Sequence, residues 1–148
     1  MIRHRVVLPR RRARIMALQT LYEHDSSGHS LEESMGRLIG NDSLGAGGDE
    51  LVREIVRGTV ANLHAIDDLI TEYAPAWPVN QMPMVDRNVL RMAIFELVFG
   101  HSAPDKVVIN EAVDLARTFG SESSSRFVNG VLGSIVEKFS ETEIGARG

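Results

Sequence analysis

The residues best able to do chemistry are arginines. Arg10, Arg11, Arg12 and Arg14 stand within five positions, and with Arg3 and Arg5 they give residues 1–14 a charge of +6 with no acid among them. The whole chain carries −4, which leaves ten basic against twenty acidic residues, or −10, beyond position 14. So strong an asymmetry predicts a basic arm that meets a polyanion, carried on an acidic body. A solvated tail is the plainer alternative, because charge runs are often unstructured. Three- and four-residue spacing of Ala13, Ala17, Leu18, Leu21 and Tyr22 predicts a helix from Arg10 to Ser26. At roughly 100° per residue, Arg10, Arg11 and Arg14 fall on the side of Leu18 and Leu21. That side is then apolar over the body and cationic where it projects. Cations at a helix N-terminus oppose the macrodipole, and a bound anion reverses that cost.

Other chemistry is absent from the pattern. His4, His24, His29, His64 and His101 are scattered, with no pair at metal-binding spacing and no Glu-x-x-His. Cysteine is absent, so disulfides, thiolate metal sites and Cys–His nucleophiles are excluded, in keeping with a reducing cytoplasm. No apolar segment suits a signal peptide or a membrane span. Asn41-Asp-Ser43 matches a glycosylation acceptor only by chance on this reading. Gly40–Gly48 lacks the Gly-Lys-Ser/Thr ending of a phosphate-binding loop and reads as a linker. Asp67 and Asp68 lie on a wet helix face. Nothing here calls for an enzyme, a metal or a cofactor.

The elements that must position the arginines are all helical. The central one is Val85–Phe99, apolar almost all round and therefore expected among several neighbours. Asp86 lies in its first turn, and Gly100 stops it. Before it, Ser30-Leu-Glu-Glu33 is a capping box for a short helix. A long amphipathic helix is expected from Asp49 to Tyr73, with Gly58 admitting a close neighbour. Trp77 is expected at the core edge. After the central helix, Lys106–Phe119 presents Val108, Ile109, Ala112, Val113, Ala116 and Phe119 as core. Ser121–Ser125 is a turn rich in N-cap residues. Arg126–Phe139 buries Val128, Val131, Leu132 and Ile135, with Gly130 and Gly133 suited to close backbone contact. A frayed tail is expected from Ser140 and a flexible basic arm over residues 1–9. One all-α domain of about seven helices follows.

Three stretches together resemble the NusB family of bacterial antitermination factors. They are Arg10–Arg14 running into Ala17-Leu-Gln-Thr-Leu-Tyr22; Val85–Leu97; and Lys106–Ala116 followed by Phe119-Gly and Arg126-Phe-Val-Asn-Gly-Val-Leu132. The resemblance implies two three-helix subbundles sharing a core. It also implies binding of boxA RNA in ribosomal RNA leader transcripts, together with the ribosomal protein NusE. Other Nus factors and RNA polymerase complete the expected assembly, and the free protein is a monomer or a homodimer. Residue by residue, the resemblance puts Arg10, Arg11 and Arg14 on RNA phosphates, with Arg12 expected to pair with an acid on the body. It puts Ser123, Arg126 and Phe127 on a second RNA-facing patch. Phe127 stacks on a base in that case, or packs in the core. The family often has an acid where this chain has Ser123. Tyr22 and Asp86 match positions near the protein-partner surface, Tyr22 being equally a core candidate. Two other readings compete. One is the RNA-binding domain of a ribosomal RNA cytosine methyltransferase, whose Rossmann domain this chain lacks. The other is a helical protein-interaction module without specific RNA binding.

Overall fold

A computed structural model describes residues 9–147, with side chains through Phe139. Seven α-helices follow one another: α1 (Pro9–Ser27), α2 (Leu31–Asn41), α3 (Gly45–Ala61), α4 (Leu63–Tyr73), α5 (Met84–Ile94), α6 (Asp105–Phe119) and α7 (Ser124–Arg147). No strand occurs among the described residues. Helix α1 packs with α2 and α3, and α6 packs with α7. Helix α5 touches α1, α3, α4, α6 and α7, so it joins the two groups. That position is the one its all-round apolarity demands. Val89, Leu90 and Ile94 are wholly buried in it.

Helix α5 passes into a π-helical turn, Phe95–Gly100, closed by His101 at φ 53° with its N–H donating to the Glu96 carbonyl. The turn meets α3 where Gly58 lies. A Cβ at Gly58 would sit 2.2 Å from two ring carbons of Phe95, so only glycine fits without movement.

Several expectations are corrected. The long helix from Asp49 to Tyr73 is two helices, parted at Asn62, whose backbone leaves the helical range (φ −112°, ψ 18°) while its side-chain amide donates to the Gly58 carbonyl at 2.8 Å. The Gly40–Gly48 linker contracts to residues 42–44. Asp49 accepts the Ser43 hydroxyl at 2.6 Å and the Leu44 N–H at 2.8 Å, so Gly45–Gly48 begin α3. Phe119 is not core: it is 45% exposed, and Leu115 is buried instead. Gly130 and Gly133 face open space, with nothing within 4 Å of an added Cβ. The expected tail from Ser140 falls on a backbone that continues α7 to Arg147, its side chains outside the described residues. Of the expected basic arm, residues 1–8 lie outside the described residues.

Candidate nucleic-acid interface

Helix α1 presents its arginines in four different settings. Arg10 is exposed and donates to the Ser102 carbonyl at 3.1 Å, beside the π turn. Arg11, half exposed, donates to both Glu111 carboxylate oxygens through Nε and at 2.6 Å through Nη2, and reaches Asp114 at 3.1 Å. Its hydrogen bond and charge hold the Glu111 carboxyl below its ordinary range, against the opposing effect of burial. Arg12 pairs with Asp42 at 2.6 Å, the body acid expected for it.

Arg14 departs from its expected place. It is 3% exposed, and its Nε and Nη2 donate to the two Glu96 oxygens at 2.9 and 2.8 Å. The sequence puts it on the stripe of Leu18 and Leu21, where Glu96 of the π turn reaches across to meet it. Arg14 therefore anchors α1 to the core and offers no free fork to a phosphate.

The second patch lies past the far end of α6. Ser123 and Arg126 are exposed at the start of α7. Phe127 is half-buried against the core, its ring 5.1 Å from that of Trp77 and tilted by 59°. The core reading of Phe127 thus holds in part, since one side of the ring is packed and the residue is not fully buried. Asp86 is corrected more sharply. Only 2% exposed, it accepts the hydroxyl of the buried Ser124 at 2.7 Å, so it joins α5 to α7 and does not stand open to a protein partner. Nothing near Asp86 in sequence announces this partner, 38 positions away.

Tyr22 is 39% exposed and belongs to a groove of about 420 Å³. Ile15, Leu18, Val85 and Phe119 supply most of the remaining wall. Two exposed aromatics in one apolar recess suit a macromolecular partner. The groove lies between the two polar patches, since Arg11 meets α6 at Glu111 and Ser123 follows its end. Eight residues of helix set those levels about 12 Å apart. Tertiary structure thus sets the arginines of α1 and the polar start of α7 at two levels, with an apolar recess near them. Phe119 was missed as a surface residue because its spacing along α6 continues the core pattern.

Among the described residues, no group of three or more His, Asp or Glu side chains is placed to hold a metal ion, and no helix is long and apolar enough to cross a membrane. A small helical bundle with cationic groups on two helix starts and an exposed aromatic groove belongs to the class of helical binding modules.

Residues 11–137 match the model of the NusB family. The chain is 47% identical over 139 residues to the transcription antitermination protein NusB of Chloroflexus aggregans, covering 93% of each chain. Its structure is similar to NusB of T. maritima, with a TM-score of 0.82 and 37% identity over 89% of this chain and 93% of that one. It is also similar to a chain in a crystal structure of the antitermination factors NusB and NusE in complex with dsRNA, with a TM-score of 0.81, 27% identity and coverage of 90% and 99%. The chain belongs to the NusB family.

Proposed function

We propose that this protein is a transcription antitermination factor that binds boxA RNA of ribosomal leader transcripts together with NusE. The observation carrying the reading is the likeness, over 90% of the chain, to a structure containing NusB, NusE and dsRNA. The settings of the side chains support it. Arg10 and Arg11 stand exposed at the start of α1 and meet RNA phosphates, while Arg14 holds α1 in place behind them. Ser123, Arg126 and Phe127 form the second contact, with the open edge of Phe127 available for stacking on a base. Tyr22 and the groove around it receive NusE, and a second copy of the chain competes for the same recess when the protein is free. The protein works by binding, in the cytoplasm, and contributes no catalysis. With NusE bound it joins other Nus factors on RNA polymerase.

One observation favours the alternative of a protein-interaction module without RNA. Arg11 and Arg12 are already paired with acids of the body, so RNA must displace or share them. A gel shift decides between the readings, using single-stranded boxA-like RNA and a duplex, each with and without NusE. Saturable, salt-sensitive binding that NusE tightens is expected. Its absence in every arm overturns the RNA reading. Tyr22→Ala should weaken capture of NusE, and sedimentation of the free variant shows whether the same groove holds a homodimer.

A further inference from the structure

The exposed serines ahead of α7 are wired to a buried carboxylate, and the wiring has a direction. Ser124 is wholly buried, and its hydroxyl donates to Asp86 Oδ1 at 2.7 Å. A hydroxyl has one hydrogen and two lone pairs. With its hydrogen committed, Ser124 Oγ can only accept, and it takes the Ser121 backbone N–H at 2.9 Å. The 3.0 Å contact between the Ser121 and Ser124 hydroxyls therefore runs one way, with Ser121 as donor. Ser121 has used its hydrogen, and its 3.4 Å contact with the exposed Ser123 hydroxyl is too long to fix that group's direction. The hydroxyl hydrogens of Ser121 and Ser124 point inward, toward Asp86.

The arrangement is tight as well as directed. A Cβ on Gly120 would come within 2.6 Å of Ser124 Oγ and 2.7 Å of the Ala116 carbonyl, so the approach to the turn has no slack. Asp86 is 2% exposed, too enclosed for water to take over its role as acceptor. Ser121 is exposed, and what it turns outward is a lone pair.

We propose that Asp86 is a positioning residue that sets the specificity of the α7 contact. By orienting the serine chain it makes Ser121 a hydrogen-bond acceptor, which receives a donor group of RNA. Phosphate oxygens accept only, so they are turned away here and go to the arginines. The matching chemistry is a ribose 2′-hydroxyl or an exocyclic amino group, and the first of these distinguishes RNA from DNA. The inference rests on the reading of the α7 start as RNA-facing.

Fluorescence anisotropy with the full chain and a synthetic single-stranded boxA-like RNA provides the test. Each nucleotide in turn carries a 2′-O-methyl group, or loses its amino group by inosine or purine-riboside replacement. In the wild type, removing one donor should weaken binding roughly two- to tenfold, the value of one neutral hydrogen bond. Which chemistry is penalised tells the two donors apart. The penalty should vanish in the surface variant Ser121→Ala/Ser123→Ala and shrink in Asp86→Ala. It should persist in Asp86→Asn, whose amide oxygen still accepts from Ser124. The salt slope, which counts phosphates, should stay unchanged in all three. Tolerance of every donor removal by the wild type, or a penalty that survives in the serine variant, overturns the proposal. Arg126→Ala separates the two levels. If it lowers affinity and slope while donor removal is silent, the serine chain alone is wrong. If it changes neither, the RNA-facing reading of α7 fails and takes the proposal with it.

Discussion

Arg14 and Glu96 form a two-pronged ion pair inside the core, their side chains 4% and 1% exposed. The Ser102 hydroxyl adds a third hydrogen bond to Glu96 at 3.1 Å. A buried pair is weak evidence of net stability, because desolvation offsets attraction, but removing one partner strands the other charge. Arg14→Ala should therefore destabilise the protein by about 3–5 kcal/mol. Replacing both partners with apolar residues, as in Arg14→Met with Glu96→Leu, should cost far less. Urea denaturation of the three proteins measures the difference. Equal losses in the single and double variants would show that the stranded charge is not the cause. The result also bears on RNA work, since neutralising Arg14 along with Arg10 and Arg11 confuses unfolding with lost contacts.

The cleaner probe of the basic face is Arg10→Ala with Arg11→Ala. Both side chains are exposed, and their partners are a carbonyl, the largely covered Glu111 and the exposed Asp114. For a single strand, log K falls against log salt by about 0.7 per phosphate neutralised, so two lost contacts should flatten the slope by about 1.4. Affinity titrations across a salt series check it, and an unchanged slope would remove these two arginines from the interface.

Acid should loosen the clip between α1 and α6. The hydrogen bond from Arg11 lowers the Glu111 value from its ordinary 4.5, with the charges of Arg11 and Arg14 adding to it and burial opposing. A carboxyl lowered in the folded state contributes stability above its unfolded value, and that contribution disappears as pH falls through the folded one. The relevant window therefore begins at 4.5 and extends downward. Arg11 is half exposed, so solvent screening limits the effect to less than about 1 kcal/mol. Urea midpoints at about pH 6 and about pH 3 should fall less for Glu111→Gln than for the wild type. Asp25 and Glu23 are lowered too, and the comparison between proteins cancels their share.

Core truncations should be costly in α5. Leu90 and Ile94 are both 0% exposed, and changing either to alanine should cost about 2–5 kcal/mol. Gly58→Ala tests the opposite fault. The added methyl collides with the Phe95 ring, and overpacking of this kind costs about 1–3 kcal/mol. Combining Gly58→Ala with Phe95→Leu should return part of that loss if the ring is the obstacle. Chemical denaturation reads all four variants.

What the sequence alone determined is what spacing along the chain can carry. The apolar surround of α5 demanded neighbours on several sides, and Val89, Leu90 and Ile94 are buried as that pattern required. Val128, Val131, Leu132 and Ile135 were legible for the same reason, as was the close approach at Gly58. Periodicity is local, so it survives without knowledge of the loops. It failed where a local competitor intervened: Asn62 breaks the helix while the apolar pattern runs straight through it. Exposure was a different matter. Arg14 read as a projecting cation because its partner stands 82 positions away, and Asp86 read as a surface acid because Ser124 stands 38 away. Only the tertiary structure decided these, since burial of a charge depends on which distant group arrives to satisfy it. The path of α6 beside α1 likewise decided that Arg11 faces Glu111 and that Phe119 is left open beside Tyr22. Which residues share a stripe follows from the helix; what covers the stripe follows from the packing of the other helices.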